Sequence, residues 1–153
     1  MEERLNYATV EPDALNAMLA LEQYVTNSGL EHSLYELVKT RASQINKCGY
    51  CLDMHTKEAR KAGETEQRLY ALNAWKEAPF YTDRERAALA WTEALTLISE
   101  KDVPDSLYEA TCNYFSEKEL VALTMAIIAI NGWNRLAIGF GKVPGSYKVT
   151  EDK

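Results

Sequence analysis

A chain of 153 residues, 46% hydrophobic and 26% charged, fits one domain over 1–153 that is large enough to bury its own core. Its net charge of −6 argues against nucleic acid and against an anionic membrane as the main partner. Three cysteines are too few for a disulfide-built secreted scaffold, and Met1-Glu2-Glu3-Arg4 lacks a signal-type apolar core, so the expected compartment is a reducing cytoplasm.

Residues 1–12 read as extended, ending at Pro12. Asp13 can cap a helix to about Asn27, with Leu15, Met18, Leu19, Glu22 and Val25 near helical spacing. Gly29 is its stop. A second helix covers about 31–45. Leu34, Leu37, Val38, Arg41 and Ile45 form one stripe on it, apolar except for Arg41. Opposite lie Ser33, Glu36, Thr40 and Ser43, small polar residues around a single carboxylate. That face suits a polar pocket wall and an ordinary solvent face equally well.

Cys48-Gly49-Tyr50-Cys51-Leu52-Asp53-Met54-His55 follows after a short connection, and it opens a helix over about 48–62. Cys48 and Cys51, at i and i+3, have Cβ atoms roughly 5–6 Å apart, within reach of a disulfide. His55 lies about 6 Å along the axis from Cys51 and roughly 10 Å from Cys48 at the helical rise, so it can act directly on Cys51 only. The helix start favours thiolate, because its unpaired N–H groups carry partial positive charge. The short connection makes the two helices antiparallel neighbours. Measured from it, Glu36 and His55 stand roughly 16 and 13 Å along their helices, level enough to face each other. A dithiol redox site is the reading this pattern favours. No second cysteine pair or paired histidine follows for zinc, which leaves Cys112 and His32 as its only other candidate ligands, and a structural disulfide would close only a tiny loop. Two unrelated core cysteines are the remaining alternative.

Gly63 ends that helix. Thr65 caps a short one to about Asn73, and 74–81 is a loop with Trp75 and Pro79. Thr82-Asp83-Arg84-Glu85 is a capping box opening a helix to about Ser99, with Ala88, Trp91, Leu95 and Ile98 on one face. Pro104 starts another, to about Asn113. Ser116-Glu117-Lys118-Glu119 is a second capping box, and the run 120–130 that follows is the most apolar in the chain. It is too short to span a bilayer before Asn131, Asn134 and Arg135 interrupt it, and reads as a core helix or an oligomer interface. Those three polar residues share a face that serves packing better than pocket lining. Gly139, Gly141, Pro144 and Gly145 mark an irregular, frayed tail. With no strand pattern, phosphate loop or repeat, the fold class is all-α: a single bundle of about six to seven helices.

Glu36, the Cys48-Gly49-Tyr50-Cys51 motif and His55 resemble the alkylhydroperoxidase D-like branch of the carboxymuconolactone decarboxylase superfamily. The resemblance extends to Glu36-Leu37-Val38-Lys39-Thr40-Arg41-Ala42-Ser43-Gln44-Ile45-Asn46, to His55-Thr56-Lys57-Glu58-Ala59-Arg60 and to Asn131-Gly132-Trp133-Asn134-Arg135-Leu136, covering nearly the whole chain. It implies an all-α fold, trimers or hexamers, and peroxidase or disulfide-reductase activity without metal or organic cofactor. Cys51 then resembles the peroxide-attacking cysteine, Cys48 the resolving one, and His55 with Glu36 the proton-relay pair. Tyr50 stands where the alkylhydroperoxidase D proteins carry a histidine, which leaves their reductase partner and substrate outside the resemblance. Decarboxylase members lack the CxxC pair, so lactone decarboxylation is disfavoured. The expected function is a thiol-dependent peroxidase, with a hydroperoxide substrate and a protein or small-molecule dithiol as electron donor. A general dithiol–disulfide oxidoreductase and a non-enzymatic oligomeric redox sensor are the alternatives. Tyr50 fits either the pocket entrance or plain surface, and His32 and Cys112 have no expected role.

Overall fold

The longest helix organises the molecule. In the computed structural model, which describes residues 2–149, α8 (Glu117–Phe140) starts at a capping box. The Ser116 hydroxyl accepts from the Glu119 N–H, and the Glu119 carboxylate accepts from the Ser116 N–H. The helix ends at Gly141, whose φ of +72° is the left-handed conformation that glycine supplies without steric cost. Between them, Ala122, Leu123, Ala126, Ile127, Ala129 and Ile130 are buried. By length and composition alone α8 could cross a membrane, but it lies packed against five other helices, three of them extensively, as the core helix of a bundle does.

Its main neighbours are α2 (Pro12–Thr26), α3 (His32–Ile45) and α6 (Asp83–Thr96). The remaining elements are α1 (Tyr7–Val10), α4 (Gly49–Lys61), α5 (Glu66–Ala71) with a 3₁₀ turn at Leu72–Ala74, and α7 (Asp105–Cys112). The described residues thus hold eight α-helices and no strand, the all-α class expected, with α1 beyond the expected number. Helix α3 is sandwiched between α4, α6 and α8. Leu34 and Val38 join Trp91, Leu123 and Ile127 in one core cluster, while Leu37 joins Leu72, Trp75 and Leu89 in another. Arg41, the one cation in the expected stripe, is satisfied by Glu93, Gln44 and Asn73 at 2.7–3.1 Å.

Three expectations are corrected. Residues 7–10 form a helical turn, and Pro12 begins α2 at its first turn, where a missing N–H costs nothing, instead of ending an extended stretch. Asp13 therefore sits inside the first turn and caps nothing. Past the apolar run, α8 continues unbroken through Asn131 and Asn134. The tail is not frayed. Residues 142–149 lie along α4, where the Gly145 N–H donates to Asp53 and the Lys57 ammonium donates to the Tyr147 carbonyl, both at 3.0 Å. Met1, in the expected extended stretch, and 150–153 at the tail lie outside the described residues.

Candidate active site

The α3–α4 turn carries the reactive motif, and α8 clamps that turn. The Asn46 amide donates to Asn131 Oδ1 at 3.0 Å and to Asn134 Oδ1 at 2.8 Å. The Asn134 amide donates to Ser43 Oγ at 3.0 Å. Asn134 and Ser43 are buried, Asn46 and Asn131 half-buried, and each satisfies another, so Asn131 and Asn134 serve packing, as expected, while Arg135 is exposed. Lys47 makes the turn with φ +58°, and Cys48 follows as the N-cap of α4. The Cys48 sulfur accepts from the Cys51 N–H at 3.3 Å, a bond that caps the helix.

Cys48 and Cys51 are joined as a disulfide, with Cα atoms 5.3 Å apart. They are 1% and 4% exposed, packed with Ala42, Ile130 and Ala137. One turn beyond Cys51, His55 Nδ1 lies 3.0 Å from Glu36 Oε2, and both residues are only 4% exposed. The expected juxtaposition of Glu36 and His55 is therefore present, and the polar face of α3 is pocket wall, not solvent face. An ionised carboxylate at this place can only accept, which would put the proton on Nδ1 and leave Nε2 as the free nitrogen. Cys112 is a free thiol, exposed on α7, and takes no part in this cluster. Among the described residues no group of three His, Cys, Asp or Glu side chains is placed to hold a metal ion.

Several neighbours escaped the sequence reading. His32 Nε2 lies 3.9 Å from Glu36 Oε1, so the two histidines of the chain flank one carboxylate. Its position four residues before Glu36 was the available signal. Lys39, buried one turn after Glu36, pairs with Glu22 and lies 3.7 Å over the Tyr35 ring. Burial pushes the Lys39 ammonium down, against the pull of Glu22 and Glu36. Burial alone would raise Glu22, but Lys39, with hydrogen bonds from Tyr35 and Trp133, holds it below the usual carboxylate range. No local pattern announces this pair, since Glu22 arrives from α2.

A cavity of about 290 Å³ opens on Cys51 and His55. Its walls are mainly apolar, with Leu15, Leu19, Met54 and Trp133 among them, and Tyr50 and Lys39 alongside. Tyr50 is thus a cavity residue, with the Lys142 ammonium 5.6 Å from its ring. A second cavity, about 260 Å³, shares His55 and Met54 and reaches Glu36, Glu58 and Tyr147. Burial and the bond it donates to Glu58 push the Tyr147 hydroxyl up to about 12, so it stays a proton donor at neutral pH.

The carboxymuconolactone decarboxylase family profile matches residues 12–94, a little over half the chain and the part that carries Glu36, Cys48, Cys51 and His55. The chain belongs to the carboxymuconolactone decarboxylase family. The uncharacterised protein YdfG of Bacillus subtilis is 44% identical over 141 residues, 92% of this chain and 96% of YdfG. A crystal structure from Agrobacterium tumefaciens, of a protein of unknown function assigned provisionally to antioxidant defence as AhpD, superposes with a TM-score of 0.92 at 46% identity. The match covers 95% of this chain and all of that one (100%). The alkyl hydroperoxide reductase AhpD of Hyphomonas neptunium is 43% identical over 47 residues, 31% of this chain and 26% of that protein. Within the family the chain is alkylhydroperoxidase D-like. Members of that branch are peroxidase-related oxidoreductases, whereas the wider family includes decarboxylases.

Proposed function

We propose that this protein is a thiol-dependent peroxidase that reduces organic hydroperoxides through Cys51 and Cys48, with His55 and Glu36 as its proton relay. The observation that carries the reading is the buried Glu36–His55 bond at 3.0 Å, one helical turn from Cys51, beside an apolar-walled cavity. Glu36 fixes the tautomer, so His55 Nε2 can take the Cys51 proton. The thiolate attacks the O–O bond and becomes a sulfenic acid, while the alkoxide leaves with the proton held on His55. Cys48 then displaces hydroxide from the Cys51 sulfur, giving the Cys48–Cys51 disulfide and water. A donor dithiol resets both thiols by exchange. A cycle that ends on two thiols suits a reducing cytoplasm. No step draws on a metal or an organic cofactor.

Assembly into a homo-oligomer, a trimer or hexamer, belongs to the same proposal. Val121 and Ile128 stand exposed two turns apart on the outward face of α8, an apolar strip that a second copy would cover.

The test is peroxide consumption by the reduced protein with a panel of dithiol donors. Sustained turnover is the expected result. Disulfide formation that stops after one equivalent with every donor would mark a sensor. Faster reduction of small disulfides than of peroxide would mark a general oxidoreductase.

A further inference from the structure

Lys47, immediately before Cys48, is the one non-glycine residue with positive φ among the described residues. Glycine would make the same turn without the clash of a Cβ against the backbone. Strain kept next to a reactive group asks what the side chain does there. Lys47 is exposed, and it stands on the wall of a groove of about 460 Å³. Cys48, Arg4, Lys142, Pro144 and Glu2 share that wall. Three cations thus face one carboxylate, with Glu3 beside Lys142 at 3.5 Å, in a chain whose net charge is −6. Cys51 does not line this groove, and Cys48 does not line the cavity at Cys51 and His55. The two cysteines of one disulfide therefore line different openings, which adjoin at Tyr50, Ala137 and Lys142.

We propose that the groove at Cys48 is the docking site of the reducing partner, a dithiol that carries negative charge beside its thiols, and that Lys47 recruits it. This rests on the peroxidase reading of the site. A donor thiolate attacks the Cys48 sulfur, the Cys48–Cys51 bond breaks, and a mixed disulfide forms. Cys51 leaves as a thiolate and is protonated through His55. The donor's second thiolate attacks its own sulfur in the mixed disulfide and releases Cys48 as a thiolate at the α4 N-cap, where unpaired N–H groups favour the anion. Two electrons pass to Cys48 and Cys51, the donor leaves as its disulfide, and the protons it sheds balance those the cysteines take up. Cys48 is only 1% exposed, and a Cβ on Gly49 would lie 3.2 Å from Pro144 Cγ, so the donor reaches the sulfur by displacing the segment around Pro144.

The experiment follows reduction of the oxidised protein by thiol alkylation, with no peroxide present. Two probes differ in charge: dimercaptopropanesulfonate, an anion, and dimercaptopropanol, neutral. Each rate is divided by the same dithiol's rate with hydroxyethyl disulfide, which removes differences in thiol reactivity. At low salt the normalised rate should favour the sulfonate, and added salt should erase the preference. Lys47→Gly should lower the sulfonate-to-alcohol ratio roughly two- to fivefold, the size of one exposed charge contact, and Lys47→Arg should keep it. No preference in the wild type, an unchanged ratio in Lys47→Gly, or a Lys47→Arg protein that loses as much as the glycine variant would overturn the proposal. Since peroxide is absent, a protein that fails as a peroxidase would still give a readable answer here.

Discussion

Replacing Glu36 by glutamine changes one oxygen to an amide and tests what the buried carboxylate does. Its Oε2 lies 3.0 Å from His55 Nδ1, and both side chains are almost inaccessible to solvent. Glutamine can offer His55 its carbonyl or its amide. With the carbonyl, the tautomer survives but the negative charge that steadies the imidazolium is lost. Charged hydrogen bonds are worth about 1.5–3 kcal/mol against about 1 for neutral ones, so this costs about 0.5–2 kcal/mol, or roughly two- to thirtyfold in rate. With the amide, Nδ1 becomes the acceptor and Nε2 carries the proton, so it can no longer take one from Cys51. The loss then approaches the whole value of a general base, roughly 10²–10⁴-fold. Oxidation of the reduced protein should therefore slow more than about twofold, and by roughly 10²-fold or more if the amide faces His55, with an unchanged helical spectrum. Stopped-flow tryptophan fluorescence can follow it, because Trp133 lines the cavity at Cys51. If Glu36 acts only through His55, Glu36→Gln added to His55→Ala should slow the reaction little further, since residues acting as one unit are not additive. A Glu36→Gln protein that oxidises within twofold of wild type would refute the relay and leave Glu36 a structural carboxylate.

Asn134→Ala removes a fully buried amide that holds Asn46 and Ser43, and should cost about 1–3 kcal/mol, read as a lowered midpoint in thermal denaturation. The Ser116 backbone and side-chain hydrogen bonds, with Arg84, hold the Glu119 carboxyl at about 2, down from 4.5. A depressed carboxyl stabilises the fold above its unfolded pKa, so this contribution is complete above about 4.5 and lost as pH falls toward 2. Glu119→Gln should flatten that part of the stability–pH profile measured by urea denaturation. Light scattering should show a trimer or hexamer at micromolar concentration, and Val121→Lys with Ile128→Lys should dissociate it; a wild-type monomer would contradict the assembly.

The signals legible in the sequence were local ones. Helical spacing placed Cys48, Cys51 and His55 on one helix, and both capping boxes fixed helix starts that the structure reproduces at Thr82 and Ser116. The short connection before Cys48 brought Glu36 level with His55, which is a consequence of helix rise alone. What stayed hidden was long-range. Glu22 reaches Lys39 from another helix, and the 142–149 tail crosses from the end of α8 to α4. Gly141, Pro144 and Gly145 mark irregular backbone truthfully, but an irregular segment can dock as firmly as a helix when its N–H and C=O groups find side chains such as Asp53 and Lys57. Pro12 was misplaced because proline both ends extended stretches and opens helices, and only the fold decides between them.

Two forces divide the cysteines: the α4 N-terminus favours thiolate at Cys48 by about 0.3–1 kcal/mol, while a positioned base at Cys51 is worth roughly 3–5 kcal/mol. The direct measurement is to treat reduced Cys48→Ser and Cys51→Ser proteins with a hydroperoxide and locate the sulfenic acid with a dimedone-type trap and mass spectrometry. The account predicts a sulfenic acid on Cys51 in Cys48→Ser, a nearly inert Cys51→Ser protein, and an unlabelled Cys112 in both. Rapid formation of a sulfenic acid on Cys48 in the Cys51→Ser protein would contradict it.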